Sequence, residues 1–264
     1  MTSPFADKDL RAYITQGGRT QSVAPMTRPP DVIYTFGKGG ATCCLAVQSG
    51  FGYGINSEYG RAPCPRHTEP RHRVLFVDNP YRRYRHEAHL QVVATLRPRY
   101  ATVRDMMTPE QCHESGIDYY EPRQILDWAA ELREHAERVI VVPKAVEYLD
   151  QIPDEYAIGI PVPSQYGAEA LPLESYRGRR CHLLGGAWSR QLSYLYLLGD
   201  DVASLDMNYI HRIAMFGQYV DPAGQTHSLK DLLPFDSANA LYIAFSISCG
   251  AIRAALAALY DGDK

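Results

Sequence analysis

Residues 181–207 read Cys181-His-Leu-Leu-Gly-Gly-Ala-Trp-Ser-Arg-Gln-Leu-Ser-Tyr-Leu-Tyr-Leu-Leu-Gly-Asp-Asp-Val-Ala-Ser-Leu-Asp-Met207. This stretch holds one strand–helix–strand unit. An apolar run from Cys181 to Gly186 predicts a strand. Ser189 is a candidate N-cap for a helix over 189–198, and Gly199 stops that helix. Val202–Met207 is the next strand. A strand, a helix and a second strand in so short a span imply a parallel β/α unit.

The same alternation continues on either side. Short β-branched runs predict strands at Val32–Phe36, Val74–Asp78, Tyr100–Asp105, Val139–Pro143 and Tyr156–Val162. Several are apolar at consecutive positions, as strands covered on both faces are. Helical spacing predicts a helix over 82–96, with Ala88, Val92 and Leu96 on one stripe. A second, over 124–138, carries Ile125, Trp128, Ala129 and Leu132. An alanine-rich helix over about 237–260 should pack against the body. Seven strands with no domain break favour closure over an open sheet, and a (β/α)8 barrel needs about 250 residues. The expected fold is therefore α/β: an irregular TIM-type barrel filling 31–264, behind a polar, proline-punctuated arm over 1–30. The Gly-rich segment Lys38–Arg73 fits poorly and reads as a long loop or insertion near the first strand.

The 264 residues are 45% hydrophobic and 22% charged, with a formal net charge of −3. That balance excludes disordered, collagenous and disulfide-scaffold chains. No uninterrupted run of about 18 apolar residues occurs, so no membrane span is expected. The first nine residues lack an export pattern, and the cytoplasm is the default expectation. Six cysteines form no Cys-x-x-Cys pair, and His86-Glu-Ala-His89 lacks the spacing of a helical zinc site, so that segment reads as surface. Neither a metal nor a cofactor is expected.

The net charge hides an asymmetry. Ten arginines (61, 66, 71, 73, 82, 83, 85, 97, 99 and 104) face Glu69, Asp78 and Glu87 over 61–104, a segment of +7. A basic block on an acidic chain suggests an anionic partner such as nucleic acid, although solvated helix faces carry arginines too.

Three predicted strands run out in carboxylates: Val74-Leu-Phe-Val-Asp78, Tyr100-Ala-Thr-Val-Arg-Asp105 and Val202-Ala-Ser-Leu-Asp206. In a barrel these ends converge on one mouth, where catalytic groups sit. One carboxylate can serve as nucleophile, one as acid/base, and one as acceptor for substrate N–H groups. Each could instead cap the next helix.

In order and spacing, these residues resemble the tRNA-guanine transglycosylase superfamily. The likeness spans roughly 74–217. The run from Gly185 through Gly199 to Asp206 is similar to the family's glycine strand end, helix and nucleophile motif. Tyr156-Ala-Ile-Gly-Ile160 is similar to its base-contacting Tyr-Ala-Val-Gly-Gly, Asp105 falls at its base-reading Asp, and Asp78 at its acid/base Asp.

The resemblance implies a pentosyltransferase with Asp206 as nucleophile and Asp78 as acid/base. Asp105, Gly159, Ile160, Pro161, Gly185, Gly186 and Asn208 would surround the substrate, with Tyr81, Val162 and Tyr166 as candidates for sandwiching the base. Arg82, Arg83, Arg85, His211 and Arg212 would meet nucleic-acid phosphates, and Arg177, Arg179 and Arg180 are further phosphate candidates. Asn79-Pro80-Tyr81 replaces the family's Ser-Gly-Gly, and Pro143-Lys144 stands where its base-reading Gln is expected. The C-terminal cysteine–histidine zinc site is missing. The closer analogy is thus with short relatives that exchange guanine in DNA for a 7-deazaguanine base, so DNA is the expected partner rather than tRNA. Such a target base must be flipped out or single-stranded. A hydrolytic DNA glycosylase, a zinc-less tRNA enzyme, a non-catalytic nucleic-acid-binding barrel and a metal-dependent hydrolase remain as alternatives. A homodimer is compatible with the sequence.

Overall fold

A computed structural model describes residues 27–35, 40–59, 73–163, 171–232 and 239–261. Among them, eight parallel strands close into a barrel: β1 (Asp31–Thr35), β2 (Gly52–Asn56), β3 (Val74–Asp78), β4 (Tyr100–Thr102), β5 (Arg138–Val141), β6 (Ala157–Pro161), β7 (Cys181–Leu184) and β8 (Val202–Met207). The ring closes where β1 pairs with β8, Ile33 opposite Asp206. This is the TIM-type barrel expected from the alternation.

Around the barrel lie α1 (Ala41–Gln48), α2 (His86–Leu96), α3 (Pro109–Ser115), α4 (Pro122–Arg133), α5 (Trp188–Leu198), α6 (Tyr209–Ala214) and α7 (Ala240–Asp261). The barrel is irregular. Between β5 and β6 the described chain forms only a 3₁₀ turn, Val146–Gln151, and before β7 another, Leu173–Tyr176. A two-stranded antiparallel ribbon, β9 (Gln218–Val220) and β10 (Thr226–Ser228), follows α6.

Strand alternation sorts side chains into two sets. One set, including Ile33, Phe76, Tyr100, Ile140, Val142 and Ala157, packs inside the barrel. The other, including Val77, Val139, Ile158, Leu183 and Leu205, packs outward with the helices in a larger core. Asp78, Thr102, His182, Ser204 and Asp206 share the inward register, which is what carries them to the mouth or the axis.

Several expectations need correction. Lys38–Arg73 is not simply an insertion, because it supplies α1 and β2, and β2 is a barrel strand. The β2 glycines Gly52 and Gly54 stand where neighbours leave no room: a Cβ on Gly54 would lie 2.9 Å from Phe76 Cδ1. Residues 60–72 lie outside the described structure. Helix α2 buries His86, His89 and Val93 most deeply; of the expected stripe, Val92 and Leu96 are half-buried against the core and Ala88 is exposed. The N-cap of α5 is Ala187, not Ser189. Of the expected arm, residues 27–30 are described, and there Asp200 accepts from the backbone N–H groups of Thr27 and Arg28.

The segment Ala240–Tyr260 is long and apolar enough by composition to cross a membrane, which a search for an uninterrupted apolar run overlooks. In the structure α7 packs against α1, α6 and β9 and buries Ala244, Phe245, Cys249 and Ile252.

Candidate active site at the barrel mouth

Asp78 ends β3 pointing into the mouth. Its Oδ1 accepts from Thr102 Oγ1 at 3.0 Å and from the Asn79 N–H at 2.9 Å. Asn56 Nδ2 lies 3.4 Å from Oδ2. No ion pair with Asp78 occurs among the described residues. Burial, then the nearby charge of Asp206, pushes its pKa up to about 7, against the opposing Thr102 hydrogen bond. A carboxyl placed there can give or take a proton near neutral pH.

Asn79, which replaces the small serine expected from the resemblance, is itself buried and structural. Its Nδ2 donates to Thr102 Oγ1 at 3.1 Å and to the Val103 carbonyl at 2.8 Å, tying β3 to β4.

Asp206 sits inside the end of β8. Its Oδ1 faces two groups from β7: the Gly185 N–H at 3.0 Å and His182 Nε2 at 3.4 Å. Gly185 and Gly186 have φ of +61° and +83°, a left-handed pair that turns the Gly185 N–H toward the carboxylate. Gln191 on α5 locks this turn, with Nε2 donating at 2.7 Å to both the Gly185 and Asp206 carbonyls. One oxygen of Asp206 is therefore anchored. Its Oδ2 has no hydrogen-bond partner among the described residues, so it is the oxygen available for chemistry.

Asp105 follows β4 and pairs with Lys144 of the next loop, Oδ2 to Nζ at 3.2 Å. Both side chains are largely buried. Pro143-Lys144, unlike the family pattern in sequence, thus places an ammonium beside the expected base-reading carboxylate.

Other expected residues divide sharply. Asn208 is exposed just after β8, and Arg82, Arg83 and Arg85 are exposed on the loop that leaves the mouth after Asp78. Arg83 reaches Glu58 at 3.7 Å, a weak exposed contact. Tyr81 lies on the same loop, with the Arg104 guanidinium 5.6 Å from its ring centre. Pro161 has the inward register at the end of β6.

Ile160 is fully buried in the outer core and lines no site. Gly159 is explained by packing, because a Cβ there would lie 2.6 Å from Val142 Cγ2. His211 is no phosphate contact either. It is buried, its Nδ1 lies 2.8 Å from the Tyr34 hydroxyl, and burial holds its pKa below the usual value. Arg212 is half-buried. Tyr166, Arg61, Arg66 and Arg71 lie outside the described residues.

The basic segment does not form one patch. Arg73, Arg97 and Arg99 stand before strands, at the floor of the barrel, and Arg104 is buried and donates to the Tyr81 and Asp118 carbonyls. Arg177 and Arg180 are also at the floor, before β7. Arg179 there holds the Ile152 carbonyl at 2.8 Å and Asp154 at 3.3 Å. The floor groups face away from the mouth and Arg104 is buried beside Tyr81, so Arg82, Arg83 and Arg85 are the exposed arginines that flank the mouth among the described arginines of 61–104.

His86 and His89 are not surface residues. His86 pairs with Glu131 at 2.8 Å and stacks on Trp128. His89 bridges Ser57 and the Thr102 carbonyl, and burial lowers its pKa to about 4. Among the described residues, no cluster of three or more His, Cys, Asp or Glu is arranged to hold a metal ion.

The residues that sequence reasoning missed are His182 and Gln191, both fully buried. The available signal was register: His182 shares the inward parity of Leu184, so a polar ring enters the barrel where an aliphatic is usual.

Comparison with solved structures finds a likeness to the YdjI aldolase from Escherichia coli K12, 10% identical, with a TM-score of 0.47 over 89% of this chain and 92% of that chain. A likeness at that level bears on neither reaction nor substrate. Among curated proteins no sequence matches. Residues 46–246 match DUF6610, described as a family of unknown function, and the chain belongs to that family.

Proposed function

We propose that the mouth is the active site of a nucleic-acid base transglycosylase, which exchanges guanine in DNA for a 7-deazaguanine base. The observation that carries this reading is the contrast between two neighbouring carboxyls. Asp206 has one oxygen anchored and one unengaged, whereas Asp78 is pushed to about 7 and can hold a proton. A nucleophile beside an acid/base is the pairing that a double displacement at a sugar carbon requires.

In the first step Asp206 Oδ2 attacks the anomeric carbon of the flipped-out nucleotide. The glycosidic C–N bond breaks, its electron pair stays with guanine, and protonated Asp78 supplies the proton that guanine takes up. In the second step Asp78, now a carboxylate, accepts the ring N–H proton of the incoming base. The freed nitrogen attacks the anomeric carbon and expels Asp206. Asp105 would accept from the N–H edge of the base while Lys144 donates to its carbonyl. Exposed Arg82, Arg83 and Arg85 would meet the flanking phosphates.

The test is mass analysis of nucleosides from guanine-containing DNA incubated with the protein and 7-deazaguanine bases. Incorporated deazaguanine that disappears in Asp206→Ala supports exchange. Abasic sugar without incorporation makes the protein a hydrolase, and exchange into tRNA alone makes it a tRNA enzyme. No product of any kind contradicts the proposal.

A further inference from the structure

A polar cavity at the floor of the barrel takes no part in the chemistry proposed for the mouth. Its volume is about 260 Å³, and it lies among the starts of β1, β4, β5, β7 and β8. Asp78 and Asp206 stand near the opposite ends of β3 and β8. Four arginines and three acids line the cavity, and their bonding is uneven. Each acid is engaged. Asp31 Oδ2 accepts from Arg99 Nη1 at 2.9 Å and from the Tyr100 hydroxyl at 2.6 Å. Glu137 lies 3.5 Å from Arg99 Nε, and Asp200 accepts from the Thr27 and Arg28 N–H groups and the Thr27 hydroxyl. One arginine, Arg99, thus serves two of the acids. The side chains of Arg28, Arg138 and Arg180 make no ion pair or hydrogen bond among the described residues.

Guanidiniums gathered around one space repel each other unless an anion lies between them. Here the backbone delivers them. Arg138 opens β5, and its N–H donates to the Arg99 carbonyl at 2.8 Å. Arg180 precedes β7, and its carbonyl accepts from the Ile158 N–H at 2.8 Å. Arg28 is fixed ahead of β1 by its own N–H, 3.2 Å from Asp200 Oδ1. Elsewhere at the floor, Arg73 and Arg179 spend their guanidiniums on backbone carbonyls, so arginines there do find protein partners when these are in reach. A phosphoryl group offers three terminal oxygens and close to two negative charges at neutral pH, one oxygen for each of the three guanidiniums. A carboxylate offers two oxygens in one plane and a single charge, which leaves one arginine unmet. Pro29, Val202 and Ala203 give the cavity an apolar wall, suited to a short organic group attached to the phosphoryl.

We propose that the floor cavity binds a small phosphate monoester, with its phosphoryl dianion held by Arg28, Arg138 and Arg180. The cavity falls below the roughly 300–1,000 Å³ that drug-sized ligands occupy, so a nucleic-acid strand with successive phosphates does not fit it. Arg28 belongs to the segment ahead of β1, whereas Arg138 and Arg180 belong to the starts of β5 and β7. An occupant therefore ties that segment across the floor and stabilises the Thr27 and Arg28 N–H bonds to Asp200. The site is separate from the mouth and does not rest on the reaction proposed there.

The experiment is calorimetric titration of the full chain with glycerol 3-phosphate and, separately, with inorganic phosphate, at fixed ionic strength in chloride. Amide hydrogen exchange at Thr27 and Arg28 is followed in parallel. Saturable binding is expected, tighter for the ester, with exchange at both amides slowed several-fold. Arg138→Gln combined with Arg180→Gln, and Arg28→Gln by itself, should each weaken binding by about tenfold or more. These are changes at the rim that leave the barrel core untouched. Replacing Arg82, Arg83 and Arg85 by Gln should leave the affinity as in wild type. Equal affinity for the two ligands supports the phosphoryl site with free phosphate as its occupant. No saturable binding of either ligand, affinity unchanged in both floor variants, or loss of binding in the mouth variant would overturn the site. Neither DNA nor a base is present, so failure here and failure of base exchange are read separately.

Discussion

Two carboxylates at the mouth, Asp78 and Asp206, are held in the opposite way to those at the floor, whereas Asp105 at the mouth keeps its Lys144 partner. At the floor each acid is satisfied: Asp31 by Arg99 and Tyr100, Glu137 by Arg99, and Asp200 by two backbone N–H groups and a hydroxyl. At the mouth, Asp78 and Asp206 are largely enclosed near each other with no guanidinium on either among the described residues. Carboxylates paired with a cation stabilise a fold, or at least cost it little. Those enclosed without one cost it free energy and persist where chemistry uses the strain. The same side chain therefore has a different meaning at each end, and that difference can be broken by mutation.

The largest effect is expected at Asp78. A carboxyl pushed from its ordinary value to about 7 binds its proton more tightly in the folded state. Stability should therefore fall as pH rises from about 4 to about 7, at a ceiling of about 1.4 kcal/mol per unit of displacement. Asp78→Asn removes the charge, so the variant should be more stable than wild type at pH 8, by up to about 4 kcal/mol. The gain should shrink toward zero near pH 4, as urea unfolding across that range would show.

Asp31→Asn at the floor should have the opposite sign. It weakens the acceptor shared by Arg99 and Tyr100 and should destabilise the protein by about 1–3 kcal/mol at neutral pH. A stabilised Asp31→Asn would erase the distinction between the ends.

Two glycines sharpen it further. Gly185 at the mouth and Gly178 before β7 at the floor have φ of +61° and +75°, and a Cβ at either would meet nothing within 4 Å. Alanine at either site should cost about 1 kcal/mol of backbone strain. Only Gly185→Ala should also lower the rate of base exchange, because only Gly185 N–H holds Asp206.

The smallest effect is expected from surface charge. Replacing Arg82, Arg83 and Arg85 by Gln should weaken DNA binding and flatten its salt dependence by about 0.7–0.9 per lost phosphate contact. Arg138→Gln with Arg180→Gln at the floor should leave that slope unchanged. Binding titrations at several salt concentrations make the comparison.

The mouth–floor difference also explains what is legible in the sequence. Val74–Asp78 and Val202–Met207 can be read to the residue, because their buried β-branched runs end in an acid. β2 cannot, because Gly52 and Gly54 replace the bulky residues by which a strand is recognised. The Cβ of either would strike Leu75 or Phe76 from β3, which no local pattern reveals. Asp78 and Asp206 stand out by their place at strand ends. The arginines of 61–104 read as one patch and do not form one, because charge along the chain does not say which end of a barrel each residue reaches. His182 escapes notice because a histidine within a strand has no spacing partner in sequence; Ser204 and Asp206 lie one strand away.

The central claim is that the mouth differs from the floor because Asp206 forms a bond there. The most direct test is acid quenching of the protein during reaction with a guanine-containing oligonucleotide, followed by intact-mass and peptide analysis. The account predicts an oligonucleotide adduct, joined through an abasic sugar, on the peptide containing Asp206 and absent from Asp206→Ala. An adduct on another residue, or turnover undiminished in Asp206→Ala, would contradict it.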